Sequence, residues 1–121
     1  MTQAITSSAL DVVMEYHRAW TSANIDMAMS KLSDDFTCQT PGGLLDKQAF
    51  REYLMGFVPK LTSVEDFAQF VEADQVVLLY YPQTAITSTT LAAEHFIVGN
   101  GRIVESRIAF DRLSYAPPKE H

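Results

Sequence analysis

A chain of 121 residues, 47% hydrophobic and 20% charged, has the length for one domain with a real core, taken as 1–121, and is too short for two. Its formal charge of −6, with no basic run and no aromatic-basic interleaving, argues against a phosphate-binding surface, so no nucleic-acid partner is expected. The lone Cys38 excludes an internal disulfide framework, gives no metal motif and fits a reducing compartment.

The N-terminal MTQAITSSAL has neither the basic start nor the apolar centre of a secretory signal. No apolar run reaches the roughly 20 residues that span a bilayer, so a cytoplasmic protein without a membrane partner is expected. Ser8 then precedes a helical pattern in which Val12, Val13, Tyr16, Ala19, Trp20 and Ala23 recur three or four residues apart. Asp11 stands where a capping box needs its acid, so the first helix runs from about Ser8 to Ser22. On it His17, beside Glu15 and Arg18, is assigned to the wet side. Asn24 caps a short second helix with Ile25, Ala28, Met29 and Leu32 on one side.

Asp34 and Asp35 read as capping, turn or solvent-exposed residues before a strand-like FTCQT, and Pro41-Gly42-Gly43 breaks that pattern. Asp46 caps a third helix whose apolar face is Phe50, Tyr53, Leu54 and Phe57, and Pro59 stops it. Beyond Pro59 the texture is β, with Leu61–Glu72, then Val76 to about Ile86, broken by Ala73-Asp74. Pro82 lacks an N–H and so marks an edge or a bulge. Tyr80 and Tyr81 point to opposite faces, so one of them reaches the interior.

The last strands are TTLAAEHFIV and RIVESRIAF, joined through Gly99-Asn100-Gly101, whose residues supply the positive φ angles of a tight hairpin. A two-residue turn at Asn100-Gly101 sets Glu94 opposite Arg107. A three-residue loop from Gly99 to Gly101 instead puts Glu94 on one face with Phe96, Val98, Val104, Ser106, Ile108 and Phe110, and His95, Glu105 and Arg107 on the other. A one-residue slip exchanges the faces, so the segregation of apolar from charged residues selects the second register. Glu94 is then a carboxyl group in apolar company, where lost hydration raises its pKa and suits it to acid chemistry or hydrogen-bond donation. Asp111 is assigned an ion pair with Arg107 or Arg112. Helices first and antiparallel strands afterwards define an α+β architecture, a curved sheet wrapped around the helices. The tail Pro117–His121 is expected to fray.

This order of elements, with VVMEYHRAW near the start and EHFIVGNGRIVESRIAFD near the end, resembles the nuclear transport factor 2-like superfamily, in particular its ketosteroid isomerase and SnoaL-like polyketide cyclase branches. The resemblance implies a cone of mixed, mostly antiparallel sheet around N-terminal helices, the cystatin-like or SnoaL-like form. It also implies a cone open to a small apolar molecule, and a homodimer through the outer face of the sheet. No cofactor and no metal is implied.

In the isomerases a tyrosine and a protonated carboxylic acid donate hydrogen bonds to a developing enolate oxygen. Tyr16 falls at the tyrosine's place and Glu94 at the acid's, which makes these two the candidate catalytic residues. The implied cavity would be lined by Trp20, Thr40, Phe50, Leu54, Tyr80, Phe96, Ile108 and Phe110. The isomerases also need an aspartate base just before a proline, and here that position is Thr40, before Pro41. The usual proton shuttle is therefore absent, while acid-assisted closure of the SnoaL-like kind tolerates the loss. The Arg and paired Asp of limonene epoxide hydrolase relatives are not seen. Three functions follow as alternatives: an enzyme acting on an apolar carbonyl compound, a binding module for a lipid-like or aromatic ligand, or a surface for dimerisation and docking.

Overall fold

In the computed structural model, which describes residues 8–86 and 90–111, the helix read from Ser8 forms as α1 (Ala9–Thr21). The Asp11 N–H donates to Ser8 Oγ at 3.1 Å, and the Ser8 N–H donates back to Asp11 Oδ2 at 3.4 Å, the reciprocal cap that satisfies two otherwise orphaned donors. Asn24 caps α2 (Ile25–Ser30), and Asp46 caps α3 (Lys47–Phe57) through the Ala49 N–H at 2.8 Å. A 3₁₀ turn at Val58–Lys60, with Pro59 in it, ends α3 where the sequence demands. Among the described residues no helix is long and apolar enough to cross a membrane.

Six strands form one open, curved, mixed sheet: β1 (Leu32–Thr40), β2 (Gly43–Asp46), β3 (Leu61–Glu72), β4 (Gln75–Thr84), β5 (Ala92–Gly99) and β6 (Arg102–Ala109), in the order β2-β1-β6-β5-β4-β3. The β1–β6 pair is parallel and every other neighbour antiparallel. Helix α1 lies against β3, β4, β5 and β6, and α3 against β1 and β2. The core between them holds Val12, Val13 and Tyr16 from α1, Phe36 from β1, Phe50 from α3 and Phe96 from β5.

Three local readings are corrected. β1 starts at Leu32, so Asp34 and Asp35 are strand residues rather than cap or turn residues, and of the readings given them solvent exposure is the one that holds; the register slips between Leu32 and Thr37, which lets acids sit there without entering the core. β2 lies just past the break at Pro41-Gly42-Gly43, and its four residues with alternating half-burial carry too little pattern to mark a strand in the sequence. Third, Asn100 and Gly101 form a two-residue turn with φ of 54° and 77°, and Gly99 pairs with Arg102.

That turn alone would send Glu94 to Arg107. However, Val98 pairs with Ile103 and Ile97 with Glu105, which leaves Val104 as an extra residue in a bulge. The bulge flips the parity of β6, so Glu94 faces Ile108 and His95 faces Arg107. The faces of the three-residue reading are therefore right and its loop is wrong. Val104 gives up its inward place to Ile103, which is fully buried.

Pro82 pairs with Val64 of β3, while the β4–β5 pairing stops at Tyr80, so one side of β4 is an edge there. Ala73, with φ of 53°, turns the chain between β3 and β4. Arg107 reaches Glu105 at 3.6 Å. Arg112 and the tail Pro117–His121 lie outside the described residues.

Candidate functional site

Alternation along β5 turns Ala92, Glu94, Phe96 and Val98 inward and leaves Ala93, His95 and Ile97 on the other face. Glu94 is 2% exposed. Its Oε1 accepts a hydrogen bond from the Tyr80 hydroxyl at 2.9 Å, and Tyr80 is the inward member of the Tyr80-Tyr81 pair while Tyr81 meets Phe67 outside. Burial raises the Glu94 pKa from 4.5 to about 7; the bond from Tyr80, which favours the charged form, pulls it partly back. Tyr16 and Tyr80 are themselves pushed well above the usual phenol value, first by burial and then by the Glu94 charge. At neutral pH the arrangement is thus a set of hydrogen-bond donors around a carboxyl group close to half protonated.

Tyr16, Trp20, Tyr80 and Glu94 line one cleft. Tyr16 is held by Phe50 and Phe96, at ring-centroid distances of 6.4 and 5.8 Å. The Trp20 indole N–H is buried without a partner among the described residues. Phe50 and Leu54 close the cleft from α3, and Ile108 and Phe110 from the β6 side. The free space inside is about 30 Å³, room for a water or two.

Two expected lining residues lie elsewhere. Phe96 faces inward but is covered by Tyr16, so it supports the cleft without lining it. Thr40 lines a separate outer groove of about 390 Å³ with Pro41 and Leu45. Its hydroxyl donates to Gly43 O at 2.9 Å and accepts from the Gly42 N–H at 3.1 Å, so it closes the β1–β2 turn.

Four lining residues were missed: Tyr53, Phe57, Pro82 and Ala92. Each had a signal. Tyr53 and Phe57 share the α3 face of Phe50 and Leu54, Ala92 lies two residues from Glu94 on β5, and Pro82 two from Tyr80 on β4.

His17 is not on the wet side of α1. It is 2% exposed, edge-on to Tyr80 at 4.8 Å and to Trp20 at 5.5 Å, because the sheet covers this side of the helix as well. Its Nε2 meets Asp66 Oδ1 at 2.8 Å, and burial lowers its pKa although Asp66 pulls the other way. Cys38 is buried too, its thiol pushed up to about 12 by burial, which makes it inert. Among the described residues no three His, Cys, Asp or Glu side chains gather to hold a metal ion.

No sequence profile of a known protein family matches the chain, and no protein of curated function matches it in sequence. Solved structures do. A protein from Kribbella flavida is 35% identical, with a TM-score of 0.85 over 91% of this chain and 92% of that one. A SnoaL-like protein of unknown function from Burkholderia thailandensis is 25% identical, with a TM-score of 0.70 over 92% and 98%. An NTF2-like protein of unknown function from Cytophaga hutchinsonii is 23% identical, with a TM-score of 0.71 over 92% and 95%.

Proposed function

We infer the function from one premise, that the chain belongs to the nuclear transport factor 2-like superfamily, in its SnoaL-like branch. A cavity protein of this fold acts on what its cavity can hold. Here the inner cleft has room for an oxygen atom rather than a ligand body, so the ligand is a small, mostly apolar carbonyl compound whose oxygen alone enters between Glu94 and Tyr16. The observation that carries this reading is a fully buried carboxyl group, close to half protonated at pH 7 and braced by the Tyr80 hydroxyl, in the same cleft as a second phenol. Protonated Glu94 and the Tyr16 hydroxyl donate to the oxygen as negative charge grows on it, the stabilisation that a water-excluded site supplies most strongly.

No lining residue other than Glu94 is a base at neutral pH among those described, and Thr40 is committed to its turn. The chemistry is therefore enolisation or aldol-type closure in which protonated Glu94 gives its proton to the carbonyl oxygen and water takes the proton that leaves carbon, with no carboxylate dedicated to moving it between carbons. A second reading, capture of the ligand without turnover, draws on the lack of a dedicated base among the described lining residues, while the small inner volume, far below roughly 300 Å³, favours the third, a surface for dimerisation or docking over an interior filled by side chains.

Because a neutral carbonyl accepts only from the protonated acid, affinity for a flat cyclic enone is expected to fall as pH rises through about 7, by up to roughly tenfold per unit. In Glu94→Gln the affinity becomes flat with pH. Calorimetric titration across pH 5 to 9, on the order of the physiological window, with product analysis beside it, reads both points. An affinity for the wild-type protein that ignores pH would defeat the role given to Glu94, and binding without product would select capture over catalysis.

A further inference from the structure

The inner cleft and the outer groove differ in scale, about 30 Å³ against about 390 Å³, yet three residues line both: Tyr53, Phe57 and Phe110. The two spaces therefore adjoin, with these aromatic rings as the wall between them. Tyr53 and Phe57 extend a row that begins at the buried Phe50. Successive rings in the row are 6.0 and 6.4 Å apart and only 20° and 14° from parallel. Phe50 is in the core while Tyr53 and Phe57 are half-buried, so the row runs from the interior out to the rim. Phe57 is the last residue of α3, and its ring also meets Trp20 at 6.5 Å. The inner space is too small for the 300 Å³ or so that a ligand body needs, whereas the groove is large enough.

We propose that Phe57, with Tyr53 and Phe110, is a size-selecting partition: a flat ring body lies in the outer groove along the α3 row, and only an unhindered oxygen passes inward to Glu94 and Tyr16. Bulk next to that oxygen meets the partition before the oxygen reaches its donors. The ligand class is thus a flat cyclic ketone or phenol without substituents flanking the oxygen. This rests on the oxygen-binding role of Glu94 given above.

The test compares two probes of equal chemistry and different width, phenol and 2,6-dimethylphenol, on the full chain. The wild-type protein is expected to bind phenol about tenfold or more tightly over the dimethyl compound, the scale on which a pocket senses added methyl groups. Phe57→Ala, or Phe110→Ala if the first variant does not fold by thermal unfolding, brings the ratio close to one. Glu94→Gln weakens both probes and leaves the ratio as it was. A wild-type ratio near one, or a folded Phe57→Ala protein that keeps the wild-type ratio, overturns the partition. If Glu94→Gln binds both probes as the wild type does while Phe57→Ala still abolishes selection, the partition stands and the role of Glu94 falls. Absence of phenol binding to the wild-type protein overturns both.

Discussion

Glu94→Gln is expected to be more stable than the wild-type protein above pH 7, by about 3 kcal/mol, and to lose that advantage in acid. The size follows from a pKa raised from 4.5 to about 7 by burial, at roughly 1.4 kcal/mol per unit. Its sign follows from proton counting. Between pH 4.5 and about 7 the folded protein holds a proton on Glu94 that the unfolded chain has lost, so stability falls as pH rises through this window. Below it the stabilisation is fully present, and above it the fold carries a buried carboxylate.

Glutamine keeps an oxygen for the Tyr80 hydroxyl and never ionises. His17, whose pKa burial lowers, tilts stability the other way, its contribution being present above the ordinary value of 6.5 and lost as pH falls below it. The difference between wild type and variant removes that term. Urea unfolding at a series of pH values measures it. Equal stability of the two proteins at high pH would mean that the acid is hydrated.

Loss of either oxygen donor is expected to cost turnover heavily. Tyr16→Phe, which removes a donor, and Glu94→Gln, which exchanges an acidic O–H for an amide N–H that cannot give up its proton, should each lower kcat on the carbonyl substrate by about 10² or more. KM should change little, because the ground-state carbonyl gains less from these bonds than the transition state does. The double variant should lose less than the product of the two, since both donors address one atom. Single-turnover rates on a converted cyclic enone give the comparison. Undiminished turnover in Tyr16→Phe would remove that residue from the oxygen site and leave it as packing for Phe50 and Phe96.

Much of this was written in short-range pattern. The Ser8–Asp11 box, Asn24 and Asp46 fixed the three helix starts, because a cap is a local hydrogen bond with a local sequence. The burial of Glu94 was legible for a different reason. Apolar and charged residues separate on β5 and β6 in only one parity, and that parity holds whatever the loop does. The bulge at Val104 that reconciles it with the tight Asn100-Gly101 turn left no mark in the sequence, since any residue can be the extra one.

His17 misled because Glu15 and Arg18 beside it look wet, while the third dimension brings β3 and Asp66 over that side of α1. The partner of Glu94 was also out of reach. Tyr80 is 14 residues away and meets it only through the β4–β5 register. Thr40 and Phe96 were placed by resemblance and by strand parity, neither of which says what lies in front of a side chain. The narrowness of the inner cleft depends on the rotamers of rings from several elements, which periodicity cannot supply.

Direct titration of the Glu94 carboxyl group is the sharpest test. In protein labelled with ¹³C at glutamate side chains, the resonance missing from Glu94→Gln identifies the residue, and its shift with pH gives the pKa. A midpoint near 7, moving higher in Tyr80→Phe where the bond that favours the charged form is gone, is the predicted result. A midpoint at the ordinary 4.5, indifferent to Tyr80, would contradict it.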